Sequence, residues 1–226
     1  QIEQIDTQIF LFFNGFHNVY WDYFMMIFSD RFVWVPFYAS FIFVLLKNFP
    51  VKVVMSTIVV ITLIILFSDQ TASGILKPLV ARMRPSNPDN PISPMVHVVQ
   101  GYRGGRYGFP SSHAANAWSM AFFAQYLVRR SKLTIFLCLW ALITSYSRMY
   151  LGVHYFGDLL IGTLIGFLYA TLYYYIFQYF LRKHTERFKP NHDIRFASVP
   201  IITGLVSIWV IICTSGILSF YSIPLR

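Results

Sequence analysis

Long apolar runs separated by short polar connections dominate the chain. Six of them approach the length needed to cross a bilayer: Phe32–Leu46, Val53–Leu76, His113–Val128, Leu133–Tyr150, Tyr155–Leu181 and Ala197–Leu218. A hydrocarbon core about 30 Å thick takes roughly 20 apolar residues in a helix, so each run is a predicted span. Phe32–Leu46 is short and contains Pro36, which suits a tilted or partial span. Residues 1–31 behave differently, because Asn14, His17, Asn18 and Asp22 interrupt their apolar positions. That pattern predicts amphipathic helices lying at the interface, with Tyr20 and Trp21 at headgroup level. A single span from Phe10 to Met26 is the alternative. The expected fold class is all-α: a polytopic transmembrane helical bundle of about six spans with N-terminal interfacial amphipathic helices, forming one integral-membrane domain over 1–226. No basic segment followed by a short apolar core opens the chain, so no signal peptide is expected. Gly162 and Gly166 form a small-xxx-small pair, which predicts close helix packing inside the bundle.

Composition agrees. The chain is 56% hydrophobic and 12% charged, and a soluble domain carries about twice that charged fraction. The formal charge of +9 does not call for a nucleic-acid partner, since membrane flanks and an anionic substrate account for it. Three short connections, Lys47–Lys52, Arg129–Lys132 and Arg182–Arg195, hold ten of the eighteen Lys and Arg. The positive-inside rule puts them in the cytoplasm. Arg31, Lys77, Arg82, Arg84, Arg103, Arg106, Arg148 and Arg226 fall on the other side. Cys138 and Cys213 lie in apolar segments and are expected to be buried free thiols.

Alternation of the spans brings Lys77–Ser112 and Leu151–His154 to one membrane face. Three polar clusters meet there. In "KPLVARMRP", Lys77 and Arg84 are seven residues apart and share a face if the segment is helical, although Pro78 can kink it. Arg84 can grip phosphate oxygens in a two-pronged manner and Lys77 can act as a point charge. Arg82 points elsewhere and is a possible headgroup residue or one that stands behind the phosphate contacts. In "FPSSHAANA", Pro110, Ser111 and Ser112 precede an apolar helix, whose N-terminus favours an anion, and His113 sits in the first turn. In "SRMYLGVHYFGD", Arg148 ends one span, His154 begins the next, and Asp158 follows one helical turn later. A carboxylate there holds one imidazole nitrogen and leaves the other to attack.

Each cluster taken singly also fits a bland role, as a basic anchor, a capping histidine or an ion pair. Ionisable groups beside spans nevertheless tend to mark function. No Cys, His and carboxylate set has catalytic-metal spacing, so neither metal nor cofactor is expected. The inventory fits phosphoryl transfer. His154 attacks phosphorus, and Lys77, Arg84, Arg148, Ser111 and nearby N–H groups hold the equatorial oxygens. His113 then gives its proton to the leaving alkoxide.

The three clusters read K-x6-R-P, P-S-x-H and S-R-x5-H-x3-D. Together they resemble the signature motifs of the type 2 phosphatidic acid phosphatase superfamily, in order, across residues 77 to 158. The resemblance implies a metal-independent lipid phosphatase acting through a phosphohistidine. It implies Lys77, Arg84 and Arg148 on phosphate, His113 as acid, and His154 as nucleophile with Asp158 as partner. It also implies a helical bundle whose site faces the periplasm or exterior. One departure is Ser112, where the family usually has Gly. Ser112 is small and still presents its N–H group.

The segment from Ser86 to Gly108 links the first two motifs. Its Gly-rich end carries Arg103 and Arg106, possible headgroup contacts on a lid, with a plain solvated loop as the alternative. Lipid A, undecaprenyl pyrophosphate, phosphatidylglycerol phosphate and phosphatidic acid all offer a terminal phosphate at the interface, the first two leading. A multi-pass protein of a bacterial inner membrane is the expected setting. A lipid phosphotransferase using the same phosphohistidine and a non-catalytic lipid-binding or transport protein are the alternative functions.

Overall fold

A computed structural model describes residues 1–184 and 194–223, and within them the fold is helical with no strand. Two short helices, α1 (Ile2–Asn14) and α2 (Val19–Phe28), come first. A 3-10 turn, Arg31–Trp34, capped by the Asp30 carboxylate on Phe32 N–H, leads into α3 (Val35–Asn48). Next come α4 (Val51–Asp69), a π-helical stretch Gln70–Leu76 and the one-turn α5 (Lys77–Val80). Then follow α6 (Ser112–Val128), α7 (Ser131–Tyr150), α8 (Phe156–His184) and α9 (Val199–Tyr221). The basic connection Arg182–Arg195 lies largely outside the described residues, and so does Arg226.

Among the described residues, four helical stretches qualify as spans by length and apolarity: Val51–Val80, Ser131–Tyr150, Phe156–Leu181 and Val199–Tyr221. A bent pair, Val19–Phe28 with Arg31–Asn48 at 63°, makes a fifth if it counts as one broken span. The expected first span, Phe32–Leu46, is therefore the second arm of this pair. The 17-residue α6 is shorter than the spanning helices, and it lies inside the bundle, with ten buried residues. By this measure four or five of the expected six spans are identified among the described residues, and the count of six is not confirmed. A continuous span from Phe10 to Met26 does not form, because the chain breaks between Asn14 and Val19. There the Asn18 side chain accepts Trp21 N–H at 2.9 Å and starts a new helix.

Small residues make α6 the axis. Ala114, Ala115, Ala117, Ala121 and Ala124 are all buried. On the facing side of α8, a Cβ on Gly162 would overlap the Ser111 carbonyl oxygen, and one on Gly166 would stand 2.5 Å from that of Ala115. The two glycines thus allow backbone-to-backbone approach between α6 and α8. Phe28, Trp34, Phe37 and Trp140 form an aromatic cluster of edge-to-face and tilted pairs joining α2, the 3-10 turn, α3 and α7. Cys138 and Cys213 are free thiols, half-buried rather than fully buried.

The N-terminal helices do more than rest at an interface. Asp6, Phe10 and Asn14 recur at i, i+4 and i+8 on α1 and turn inward. Phe10 and Asn14 are buried, with Phe10 edge-on to Tyr155. Asn14 donates to the Tyr150 and His97 carbonyls at 2.8 and 3.1 Å and accepts His97 N–H at 2.8 Å. From α2, the Asp22 carboxylate meets His97 Nε2 and accepts the Tyr150 hydroxyl, both at 2.8 Å.

Candidate active site

The first motif is helical for only one turn. Ala81 adopts a left-handed conformation (φ +51°) that ends α5, and Met83 bridges Tyr107 antiparallel to it. Arg84 N–H donates to the Arg106 carbonyl at 3.1 Å, and Gly108 N–H to the Arg82 carbonyl at 2.9 Å. Lys77 and Arg84 therefore do not share a helix face. The turn at Ala81 folds Arg84 back over the end of the bundle, so the two cations converge by a route that helical spacing cannot describe. Lys77 Nζ donates to Ser73 Oγ at 3.0 Å and Ser112 Oγ at 3.4 Å.

The second motif starts α6. Ser111 is its N-cap, its hydroxyl oxygen accepting Ala114 N–H at 3.3 Å, while its own N–H donates to the Asp158 carbonyl at 3.0 Å. Motifs two and three are joined through this bond. Two residues on, His113 opens into a cavity and is exposed there. Arg148, His154, Lys77 and Arg84 all lie within electrostatic range of its ring.

The third motif holds a buried imidazole. His154 is 1% exposed, and its Nδ1 lies 3.3 Å from Asp158 Oδ2. Its Nε2 lies 3.2 Å from Arg84 Nη1, which also donates to the Val153 carbonyl at 3.2 Å. A guanidinium can only donate, so Nε2 is the acceptor and the ring proton sits on Nδ1, facing the carboxylate. That tautomer places the lone pair on Nε2, where Arg84 engages it and where it can attack once that guanidinium turns to a phosphate. Burial, and then Arg84, Arg148 and Lys77 in that order, hold His154 well below the usual imidazole range. The nucleophile is thereby kept neutral.

Arg148, on the last turn of α7, is buried. It donates to the Tyr102 hydroxyl at 2.8 Å and Ser29 Oγ at 3.3 Å. Two guanidinium atoms, Arg84 Nε and Arg148 Nε, are buried with no hydrogen-bond partner. Buried donors on a cation are costly to leave unmatched, and a bound oxyanion would satisfy both.

Arg82 is engaged by protein groups, which puts it behind the phosphate contacts, one of its two expected places: one terminal nitrogen donates to Asp158 Oδ1 at 3.0 Å, the other meets Asp6 Oδ2 at 2.8 Å, and the guanidinium stacks on the Tyr155 ring. Arg103 braces its own loop, donating to the Ser86 carbonyl and to Ser93 Oγ. Arg106 is exposed, its guanidinium over the Tyr107 ring. The Pro-rich start of this segment is packed: Asn90 Nδ2 donates to the Arg84 carbonyl and the Tyr155 hydroxyl, each at 3.0 Å. The longest unbroken exposed run in the segment is 100–106.

Below His113 lies a cavity of about 500 Å³, within the range of small-molecule sites. Its deep walls are apolar, including Phe37, Phe41, Leu45, Ile58 and Trp140. Its upper wall carries Asp69, Asn116 and Thr144. Asn116 is three residues past His113, and Thr144 is one turn before Arg148. Asn116 Oδ1 and Thr144 Oγ1 are buried without partners. No group of three or more His, Cys, Asp or Glu stands together among the described residues.

Asp6, Tyr102, Ser29, Asn116 and Thr144 were not singled out by sequence. Their partners are remote, except that Asp6 shares a helical stripe with Phe10 and Asn14.

Comparison with known proteins places these features. The family described as the PAP2 superfamily matches residues 52–182. The lipid A 4'-phosphatase of Bacteroides thetaiotaomicron is 45% identical over 214 residues, covering 92% of this chain and 93% of the relative. The lipid A 4'-phosphatase of Porphyromonas gingivalis is 33% identical over 179 residues, covering 79% and 75%. A solved structure, that of Aquifex aeolicus LpxE, superposes with a TM-score of 0.57 at 22% identity, over 75% of this chain and 94% of that one. At that identity it bears on the fold alone.

Proposed function

The chain belongs to the PAP2 superfamily, and from that premise we propose that it is a membrane lipid phosphatase that removes a terminal phosphate from a lipid A-type glycolipid through a phosphohistidine. The observation that carries this reading is the pairing of a neutral, carboxylate-held His154 with two buried guanidinium donors that lack partners.

His154 Nε2 attacks phosphorus. An N–P bond forms as the P–O bond to the lipid breaks, with Arg84, Arg148, Lys77 and the N–H groups at the start of α6 on the equatorial oxygens. His113, lining the cavity, takes up a proton once the bound phosphate offsets the surrounding cations, gives it to the departing alkoxide and then takes one from water. That water attacks the phosphohistidine and releases inorganic phosphate. Asp158 stabilises the imidazolium that forms during attack.

The substrate class is supported by two things. Two relatives, 45% and 33% identical to this chain, carry the name lipid A 4'-phosphatase. The upper cavity wall also carries acceptor atoms, Asn116 Oδ1, Thr144 Oγ1 and the Asp69 carboxylate. These suit the hydroxyl and amide groups of an acylated sugar, with an acyl chain in the apolar depth. A second phosphate would meet the Asp69 charge there. The basic connections Lys47–Lys52 and Arg129–Lys132 lie at the helix ends opposite the site. This supports a bacterial inner-membrane protein whose site faces the periplasm.

The test is phosphate release by the purified protein from lipid A, undecaprenyl pyrophosphate, phosphatidylglycerol phosphate and phosphatidic acid, with EDTA present. Lipid A should be the fastest substrate and EDTA without effect. Faster turnover of the prenyl diphosphate, or loss of activity with EDTA and recovery with magnesium, would overturn this reading.

A further inference from the structure

We propose that Asp6, on α1, is a positioning residue for the reaction: acting through Arg82, it sets how strongly Asp158 supports the charge on His154. The inference rests on His154 as nucleophile and adds a residue outside the matched stretch 52–182.

Four side chains form one chain of contacts. Asp6 Oδ2 meets one terminal nitrogen of Arg82 at 2.8 Å. The other terminal nitrogen donates to Asp158 Oδ1 at 3.0 Å, and Asp158 Oδ2 faces His154 Nδ1 at 3.3 Å. The Arg82 guanidinium lies 3.9 Å from the centre of the Tyr155 ring, which fixes its plane.

Charge balance gives Asp6 its role. Asp158 is fully buried, and a carboxylate there needs a compensating cation. Arg82 is that cation. A one-to-one pair is neutral, however, and leaves little field for the imidazolium formed during attack. With Asp6 on its far side, Arg82 is shared between two carboxylates. The trio then carries one net negative charge, which matches the positive charge that develops on His154.

Position is controlled as tightly as charge. The second Asp6 oxygen, Oδ1, accepts Gly157 N–H at 2.8 Å, at the N-terminus of α8 and one residue from Asp158. A Cβ on Gly157 would stand 2.8 Å from Asp6 Oδ2, so the carboxylate occupies space that only a glycine leaves open. Phe10 and Asn14, on the same face of α1, seat the helix that delivers Asp6. The groups facing Arg82 are Asp6, Asp158 and Tyr155. Those facing His154 are Asp158 from α8, Arg148 from α7, His113 from α6, Lys77 from α5, and Arg84.

The experiment measures kcat and KM for phosphate release from lipid A across the pH range, using the full chain in detergent. It compares native protein, Asp6→Asn, Asp6→Glu, Gly157→Ala, Arg82→Gln, Asp6→Asn with Arg82→Gln, and His154→Ala. Asp6→Asn should lower kcat about tenfold, the scale of coupling within one hydrogen-bonded network, with KM within about twofold. It should also move the acidic limb of kcat to lower pH, because Arg82 then bears wholly on Asp158 and the imidazolium is less favoured. A merely structural loss would lower kcat without moving the limb. Gly157→Ala, which displaces the Asp6 carboxylate without touching a charge, should reproduce both effects, and Asp6→Glu should recover part of kcat. With Arg82→Gln already present, Asp6→Asn should add less than about twofold. Native kcat in Asp6→Asn, an unmoved limb, or an undiminished effect in the Arg82→Gln background overturns the inference. If His154→Ala is inactive while Asp6→Asn behaves as native protein, the inference alone fails. Activity in His154→Ala removes the phosphohistidine reading itself and this inference with it.

Discussion

Replacing Asp158 by Asn tests the electrostatic design of the site most sharply, because it changes one charge and almost no volume. The Asp158 carboxylate accepts from Arg82 through Oδ1, and from Tyr155 N–H and His154 Nδ1 through Oδ2. An asparagine has one acceptor oxygen and one donor group for these positions. Its oxygen will face Arg82, since a charge-assisted hydrogen bond is the stronger one. The amide NH2 then points at His154 Nδ1 and accommodates only the tautomer with its proton on Nε2. That tautomer has no lone pair for phosphorus and directs an N–H at the Arg84 guanidinium. The electrostatic loss adds to this. At 3.3 Å and an effective dielectric constant near 20, a full imidazolium–carboxylate pair interacts by about 5 kcal/mol. With the ring about half charged in the transition state, about 2.5 kcal/mol is lost, roughly a hundredfold in rate. The tautomer penalty brings the expected fall in kcat to about a thousandfold or more. The assay is phosphate release from lipid A by detergent-purified protein, with a thermal melt beside it. A folded Asp158→Asn protein with kcat within tenfold of native would refute the reasoning.

Other consequences follow from the same geometry. His154 sits below the usual imidazole range, so kcat/KM should hold through pH about 6.5, the ordinary value, and fall only at lower pH. The unfolded chain takes up this proton first as pH drops. The neutral ring therefore contributes stability above pH about 6.5 that is lost as pH falls toward the folded value; a pH-rate profile and melts in acid check both, and half-maximal kcat/KM at pH about 6.5 would contradict the first. Gly162→Ala drives a Cβ into the Ser111 carbonyl and should destabilise by about 1–3 kcal/mol, visible as a lower melting temperature. Asn116→Leu combined with Thr144→Val removes the upper-wall acceptors. It should slow lipid A turnover several-fold while leaving phosphatidic acid turnover near native; equal losses on both substrates would contradict the sugar-binding role.

The three motifs were legible because charged residues in a largely apolar chain are few and their spacing is informative. His154 and Asp158, one helical turn apart, meet as that spacing implies. Elsewhere local periodicity failed for identifiable reasons. Lys77 and Arg84 would share a face only on a continuous helix, and the left-handed turn at Ala81 ends it. Arg82, read as a headgroup residue or one behind the phosphate contacts, spans two carboxylates 152 residues apart (Asp6 and Asp158). No local signal encodes such a contact. The count of six spans is not confirmed, because α6, alanine-rich and enclosed by its neighbours, is shorter than the helices that qualify by length. The interrupted N-terminal pattern did announce amphipathic helices. It could not show that their polar stripe faces the protein, where Asn14 and Asp22 satisfy buried backbone and side-chain groups.

The central claim is a covalent phosphate on His154. The direct measurement is rapid quenching in alkaline detergent, which preserves N–P bonds, after mixing the protein with lipid A labelled in its terminal phosphate, followed by peptide mapping. The expected result is label on the peptide containing His154, discharged by continued incubation in water and absent from His154→Ala. Turnover without any protein-bound label, or label carried by His113 instead, would contradict it.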